Sequence, residues 1–195
     1  MLKDNKYCLY RKGGVKLEKV IVLYRSSTGF TQKYAEWIAE ELDCRVLSIK
    51  DVNINELQNY NTIIFGGGLH AGKINGLKSI KNSILKMKDK NIIVFATGAT
   101  PKEAIKIEEI ENANFSLEEK ETFHLFYFHS GMNYETMGIG SKGMMSIFKA
   151  MLKIKKDKSP EEQGMYDTIT KSNDHSKKEY INPLIEYVET ITSIR

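Results

Sequence analysis

Two hydrophobic rhythms alternate along this chain. Short runs in which nearly every position is apolar are followed by stretches whose apolar residues recur every three or four positions. Residues 19–24 (KVIVLY) form the first such run and read as a strand. Residues 31–42 follow as a helix, with Tyr34, Ala35, Ile38, Ala39 and Leu42 at helical spacing. A second short strand is predicted over 44–49, and a third over 62–65 (TIIF), ending at three glycines. Leu77, Ile80, Ile84, Leu85 and Met87 mark a helix over 77–87. The fourth strand is expected over 91–96 (NIIVFA), with Pro101 suited to the first turn of the helix after it. The fifth covers 122–128 (TFHLFYF), and a last helix runs over 180–194 with Pro183 near its start.

Strands that alternate with helices predict an α/β protein with a doubly wound, five-stranded parallel sheet. The first, third, fourth and fifth runs are almost continuously apolar, as strands buried on both faces should be. With 195 residues the chain fits one domain, and 41% hydrophobic content is ordinary for a globular protein. No apolar run reaches the roughly 18 residues of a membrane span, and the first residues lack the apolar core of a signal peptide. The expected compartment is therefore the cytoplasm. Cys8 and Cys44 have no ligand spacing and read as reduced thiols, while His70, His124, His129 and His175 are scattered, so no metal site is expected.

Ligands of such sheets bind beyond the carboxyl ends of the strands. After the first strand come Ser26, Ser27, Thr28, Gly29, Phe30 and Thr31, leading straight into a helix. Hydroxyls and backbone N–H groups around a glycine at a helix N-terminus suit a phosphate. An ordinary Ser/Thr cap is the plainer reading of the same residues. This loop is neither GxxxxGK[ST] nor GxGxxG, so a nucleoside triphosphate or dinucleotide reading lacks its motif here. After the third strand, Gly66, Gly67, Gly68, Leu69, His70, Ala71, Gly72 and Lys73 form a dense glycine stretch on which a flat ring could lie. After the fourth come Thr97, Gly98, Ala99, Thr100 and Pro101. No Ser/His/Asp or paired-carboxylate constellation calls for hydrolytic chemistry.

The first of these loops resembles the phosphate loop of the flavodoxin family, [ST]-x-T-G-x-T, matched by Ser26, Thr28, Gly29 and Thr31. Phe30 stands where the family carries asparagine. The resemblance covers residues 19 to about 128 and the last helix, and it implies strand order 2-1-3-4-5 with FMN as cofactor. It places the FMN phosphate among Ser26, Ser27, Thr28, Gly29, Phe30 and Thr31. Gly67, Gly68, Leu69, His70, Ala71 and Gly72 would touch one side of the flavin ring, and Thr97, Gly98, Ala99 and Thr100 the other. His70 and Lys73 would bring positive charge near the reduced ring.

About fifty residues, 129–178, separate the fifth strand from the last helix. Met144, Ile147, Phe148, Met151 and Leu152 recur at helical spacing within 142–158, a segment with six lysines against one aspartate. That is +5 in a chain of +4, so the remainder is −1. Soluble flavodoxins are typically acidic, and here the chain departs from the type. The helix is expected either to pack its Met/Phe face on the sheet with solvated lysines, or to meet an anionic membrane or acidic ligand. The insert, with Phe128 to Tyr134 as its opening, resembles that of the menaquinone-dependent protoporphyrinogen oxidase branch. That resemblance implies an FMN-dependent oxidoreductase passing electrons from a porphyrinogen to a quinone, with peripheral contact at the inner face of the cell membrane. The cofactor carries the chemistry, and His129 is either a ligand or substrate contact or simply the end of the fifth strand. An electron carrier docking to a protein reductase is the alternative, and a weakly flavin-binding interaction module is a third; no nucleic-acid partner is expected. Residues 1–18 precede the first strand and read as a hairpin around Tyr7 to Tyr10 or a disordered arm.

Overall fold

The strands at the centre carry no charged residue along their buried lengths, which lets helices cover both faces. The computed structural model describes residues 19–87, 89–159, 162–163, 166 and 171–193. The readings of residues 1–18 and of Cys8 lie outside them. β1 (Val20–Arg25), β2 (Arg45–Ser48) and β3 (Thr62–His70) are followed by a two-residue return, β4 (Lys73–Ile74), then by β5 (Asn91–Gly98) and β6 (Phe123–His129). The spatial order is β2-β1-β3-β5-β6, with β4 antiparallel to β3. Without that return, the parallel strands stand in the expected order 2-1-3-4-5.

Side-chain alternation along the strands divides the core into two layers. Ile21, Leu23, Ile63, Phe65 and Val94 face α2 (Leu77–Leu85) and α3 (Ile107–Asn114), meeting Leu77, Ile80, Ile84 and Ile110. Val22, Ile64, Ile93 and Phe95 face α1 (Phe30–Glu41) and the C-terminal helix, meeting Tyr34, Ile38, Leu184 and Val188. Each such fully buried side chain contributes about 1.5–3 kcal/mol relative to an exposed one. A short α4 (Leu117–Thr122) leads into β6, held at its start by a capping box of Ser116 and Glu119.

Four expectations change in detail. The third strand does not stop at Phe65 but continues through all three glycines to His70. Pro101 begins a 3₁₀ turn over Lys102–Ala104, and the helix starts only at Ile107, because Ile105 and Lys106 are extended. β6 lies at the edge of the sheet, so its apolar run is only partly buried and His124 is exposed, stacked on Tyr187 at 4.0 Å. The insert helix, α5 (Ile139–Ile154), begins earlier than 142 and ends before the last lysines. Its expected packing on the sheet does not occur: Ile139, Ile147, Met151 and Ile154 are exposed and, of its described side chains, only Leu152 is buried.

The insert is fastened at its base by β7 (Gly131–Met132) and β8 (Asn173–Asp174), an antiparallel pair. Gly131 is required there, since a Cβ would strike the Asn173 carbonyl. The chain then enters α6 (Asn182–Ser193), with Pro183 in its first turn. No described helix is long and apolar enough to cross a membrane.

Candidate cofactor site

Three loops meet at the carboxyl ends of β1, β3 and β5. The first is held by short-range bonds: Gly29 N–H donates to Ser26 Oγ at 3.0 Å, and Gly29 adopts φ 93°, a left-handed conformation that favours glycine. Space above Gly29 is open. No side chain caps α1 and its first turn has no acidic residue, so the positive end of the helix and its unshared N–H groups face the loop. These are the features an anion such as a phosphate needs. They favour the phosphate reading over a plain Ser/Thr cap, because no hydroxyl is spent on capping the helix. Thr31, buried in the first turn of α1, shares a hydrogen bond of 2.8 Å with the buried Thr97 hydroxyl at the end of β5. This bond ties the first loop to the third.

The glycine stretch proves to be a strand end and a hairpin. Leu69 pairs with Ile74 and His70 with Lys73, around a two-residue turn in which Ala71 has φ 48° and Gly72 has φ 78°. Two positive-φ residues give the turn whose twist matches a hairpin. The three glycines then have separate reasons. A Cβ on Gly66 would enter the Phe95 ring, and one on Gly67 would enter the β4 return, 2.6 Å from Ile74 Cγ2. Only Gly68 looks out on the loops, where a Cβ would stand 3.5 Å from Thr31 Oγ1 and 3.8 Å from Thr97 Oγ1. The dense glycines thus serve internal packing at two positions and leave bare backbone toward the site at one.

Asn75 and Asn114, which the sequence reading passed over, position this hairpin. Asn75 donates from Nδ2 to Ser27 Oγ at 3.0 Å, and its N–H donates to the Gly68 carbonyl at 2.9 Å. Asn114, at the end of α3, donates to the Gly72 carbonyl at 2.7 Å and accepts from Ile74 N–H at 2.9 Å. Lys73 donates to the Ala113 carbonyl, so its ammonium is turned toward α3. His70 is exposed at the tip. The Asn75-Gly76 dipeptide was a readable turn signal. Asn114 offered none, because its partners are forty residues away.

Between the hairpin and the third loop lies a cleft of about 370 Å³, lined by Leu69, Ala71, Gly72, Gly98, Ala99 and Thr100 among others. Its size is that of a small-molecule site. Tyr127 fixes the third loop by donating to the Thr100 carbonyl at 2.6 Å, and burial raises its phenol pKa, so it remains a donor. On the other side of that loop, His129 Nε2 lies 3.2 Å from the Ala99 carbonyl, and the ring stacks on His175 at 5.0 Å. Burial first, then the neighbouring His175, pushes the His129 pKa down. Tyr34 donates to the His129 carbonyl at 2.5 Å and also accepts from Lys177 N–H. A second cavity of about 150 Å³ opens here between Tyr127, His129, Lys102, Glu103, Tyr180 and Pro183. Another surface depression, about 480 Å³, lies at the amino ends of β3 and β5 near Gln58 and Lys90, away from these loops. The described residues include no cluster of three potential metal ligands.

The three predicted loops therefore converge, apart from His70 and Lys73, which point outward or toward α3, and Gly67, whose open side is filled by the β4 return. The shape they make suits FMN. An uncapped helix start can take a phosphate, bare backbone at Gly68 leaves room beside Thr31 and Thr97, and a cleft between two loops can take a flat ring. Residues 21–159 match the family model described as the flavodoxin domain. An uncharacterized protein of Methanocaldococcus jannaschii is 34% identical over 86 residues, 43% of this chain and 56% of that protein, so the chain spans little more than half of that relative's length. Among solved structures, a flavoprotein of Lactobacillus acidophilus in complex with FMN aligns with 57% of this chain and 92% of its own, at 17% identity and a TM-score of 0.40. A two-electron reduced flavodoxin of Megasphaera elsdenii aligns with 55% of this chain and 84% of its own, at 15% identity and a TM-score of 0.42. With more than two-thirds of this chain matched by the family model and the loops arranged to suit the cofactor, the chain belongs to the flavodoxin domain family and binds FMN.

Proposed function

We propose that this protein is an FMN-dependent oxidoreductase of the protoporphyrinogen oxidase type, passing electrons from a reduced substrate such as a porphyrinogen to a quinone. The observation that carries the reading is the second cavity, which shares Tyr127 with the ring cleft and lies directly behind the third loop. At about 150 Å³ this cavity can take a side chain or one pyrrole edge of such a substrate, with the rest of the molecule outside the third loop. Bound FMN supplies the two-electron chemistry, so that withdrawal of two electrons and two protons from the substrate is matched by reduction of a quinone to a quinol. The protein's residues orient and exclude. Ser26 to Thr31 would hold the phosphate, Gly68 admits the cofactor close to the backbone, and Tyr127 keeps the third loop in place. His129, held neutral near pH 7 by burial and by His175, would contact the substrate from the adjoining cavity.

Anaerobic addition of protoporphyrinogen to the FMN-loaded protein tests this. The visible band of the oxidised flavin should bleach and return on adding a menaquinone analogue. A band that persists would defeat the oxidase reading. The carrier reading has support of its own in the exposed lysines around α5, which would suit an acidic reductase. Bleaching by a protein reductase, with none by the porphyrinogen, would favour it.

A further inference from the structure

The insert helix turns the wrong side to water. On a helix of 3.6 residues per turn, Ile147, Met151 and Ile154 fall within about 60° of arc. They are 65%, 63% and 80% exposed, and Ile139 at the start of the helix is 92% exposed. Its upper lysines turn inward instead: Lys142 is half-buried and donates to the Glu135 carbonyl at 2.8 Å, and Lys149 lies 5.6 Å from the Tyr166 ring. Beyond the helix, Lys155 pairs with Glu162 at 2.6 Å. Lys153 and Lys156 are exposed at the same end as Ile154. Gly140 and Gly143 lie on the same open side, with nothing near the positions their Cβ atoms would take. Two glycines and, among its described side chains, a single buried one give α5 little intrinsic reason to hold its shape in water.

We propose that α5 seats this protein on an anionic lipid bilayer, with Ile147, Met151 and Ile154 entering the acyl boundary and Lys153 and Lys156 meeting lipid phosphates. A helix of sixteen residues is about 24 Å long and can lie in the plane of the interface. Charge decides the occupant. Lys153 and Lys156, exposed beside Ile154, are attracted to an anionic surface, while a symmetric dimer through the same face would bring these like charges together. The hairpin of β7 and β8 fastens the insert to the sheet beside Gly98, since Ser130 N–H donates to the Gly98 carbonyl at 2.8 Å. Docking would therefore set the third cofactor loop at a fixed place relative to the membrane. This inference does not depend on the substrate assigned above.

Flotation of the FMN-loaded full chain with phosphatidylcholine vesicles, with and without phosphatidylglycerol, tests it. The protein should float only with the anionic vesicles. Replacing Ile147, Met151 and Ile154 together by glutamine should lower partitioning roughly 1,000-fold or more, at about tenfold or more per side chain. Lys153→Glu with Lys156→Glu should lower it about 25-fold or more, at roughly fivefold per lysine lost. All five positions are exposed, so flavin absorbance and thermal melting should be unchanged in both variants. Absence of flotation, equal flotation with neutral vesicles, or full flotation of the glutamine variant would overturn the proposal. So would a dimer in sedimentation that the glutamine variant dissociates, because the face would then belong to a second copy. Flotation reads lipid binding alone, so its failure leaves the flavin-bleaching test untouched.

Discussion

Gly67 and Gly68 are adjacent and identical, yet the structure predicts opposite consequences for the same substitution. In Gly67→Ala the new Cβ would lie 2.6 Å from Ile74 Cγ2, where unstrained carbons sit at about 3.5–4.0 Å, and closer still to the Asn75 carbonyl. β3 cannot yield, because Gly67 pairs with Arg25 on one side and Ala96 on the other. The hairpin return must move by about 1 Å, at an overpacking cost of about 1–3 kcal/mol. For a chain of this size each kcal/mol lowers Tm by about 2–4 °C, so the apoprotein should melt about 2–12 °C lower. FMN affinity should fall with it, since Leu69 to Gly72 move with the return. In Gly68→Ala the contacts are ordinary ones of 3.5 and 3.8 Å to the two threonine hydroxyls. Apoprotein stability should stay within about 0.5 kcal/mol of the parent. The methyl would instead occupy space at the loop junction, and FMN should bind about fivefold or more weakly, the same steric cost now expressed in binding. Circular dichroism melts of the apoproteins and quenching titrations of FMN fluorescence give both quantities. A Gly67→Ala protein that melts with the parent, or a Gly68→Ala protein that binds FMN undiminished, would refute the separate roles assigned to the two glycines.

Two further outcomes follow from the buried ring groups. Burial pushes the Tyr34 phenol up to about 12, so its neutral form contributes stability fully below the ordinary value near 10 and loses it as pH rises toward 12. Tyr34→Phe should cost about 1–3 kcal/mol at pH 7, through the abandoned His129 carbonyl and Lys177 N–H, and should flatten the alkaline limb of a Tm-against-pH curve; an unchanged limb would contradict this. His129 is held below the ordinary histidine value, so its stabilising effect is present above about pH 6.5 and is lost as pH falls through its own lower midpoint. His175→Gln should move the NMR titration midpoint of His129 upward, and no movement would mean that burial alone sets it.

The sheet was legible in the sequence because its central strands must be apolar on both faces, and runs such as IIF at 63–65 and IIVFA at 92–96 have no other use at that density. The edges were less so. β2 is brief and half-buried, and β6 exposes His124 within a run that looked uniform. The shape of the loop after β1 was legible because its parts are local: a glycine, hydroxyls and a helix start, all within six residues. Asn114 was not, since its hydrogen bonds to Gly72 and Ile74 depend on α3 returning to the hairpin. The glycine stretch misled in a specific way. Backbone freedom was the obvious reason for three glycines, but Gly66 and Gly67 are set by the volumes of Phe95 and Ile74, which no local pattern records. Amphipathic spacing identified the insert helix but could not say which side faces water, because period gives an arc and not its direction.

The two layers of the core also differ in when the chain can complete them during synthesis. Among the described residues, every buried one of the layer under α2 and α3 lies between Ile21 and Tyr127, so those residues are all encoded before the insert begins. The opposite layer needs Ile181, Leu184, Ile185 and Val188, which follow the whole insert. A nascent chain paused within the insert therefore presents a sheet closed on one side and bare on the other, with Val22, Ile64, Ile93 and Phe95 covered only in part by α1. Lengthening the insert prolongs that interval without disturbing any contact of the finished fold.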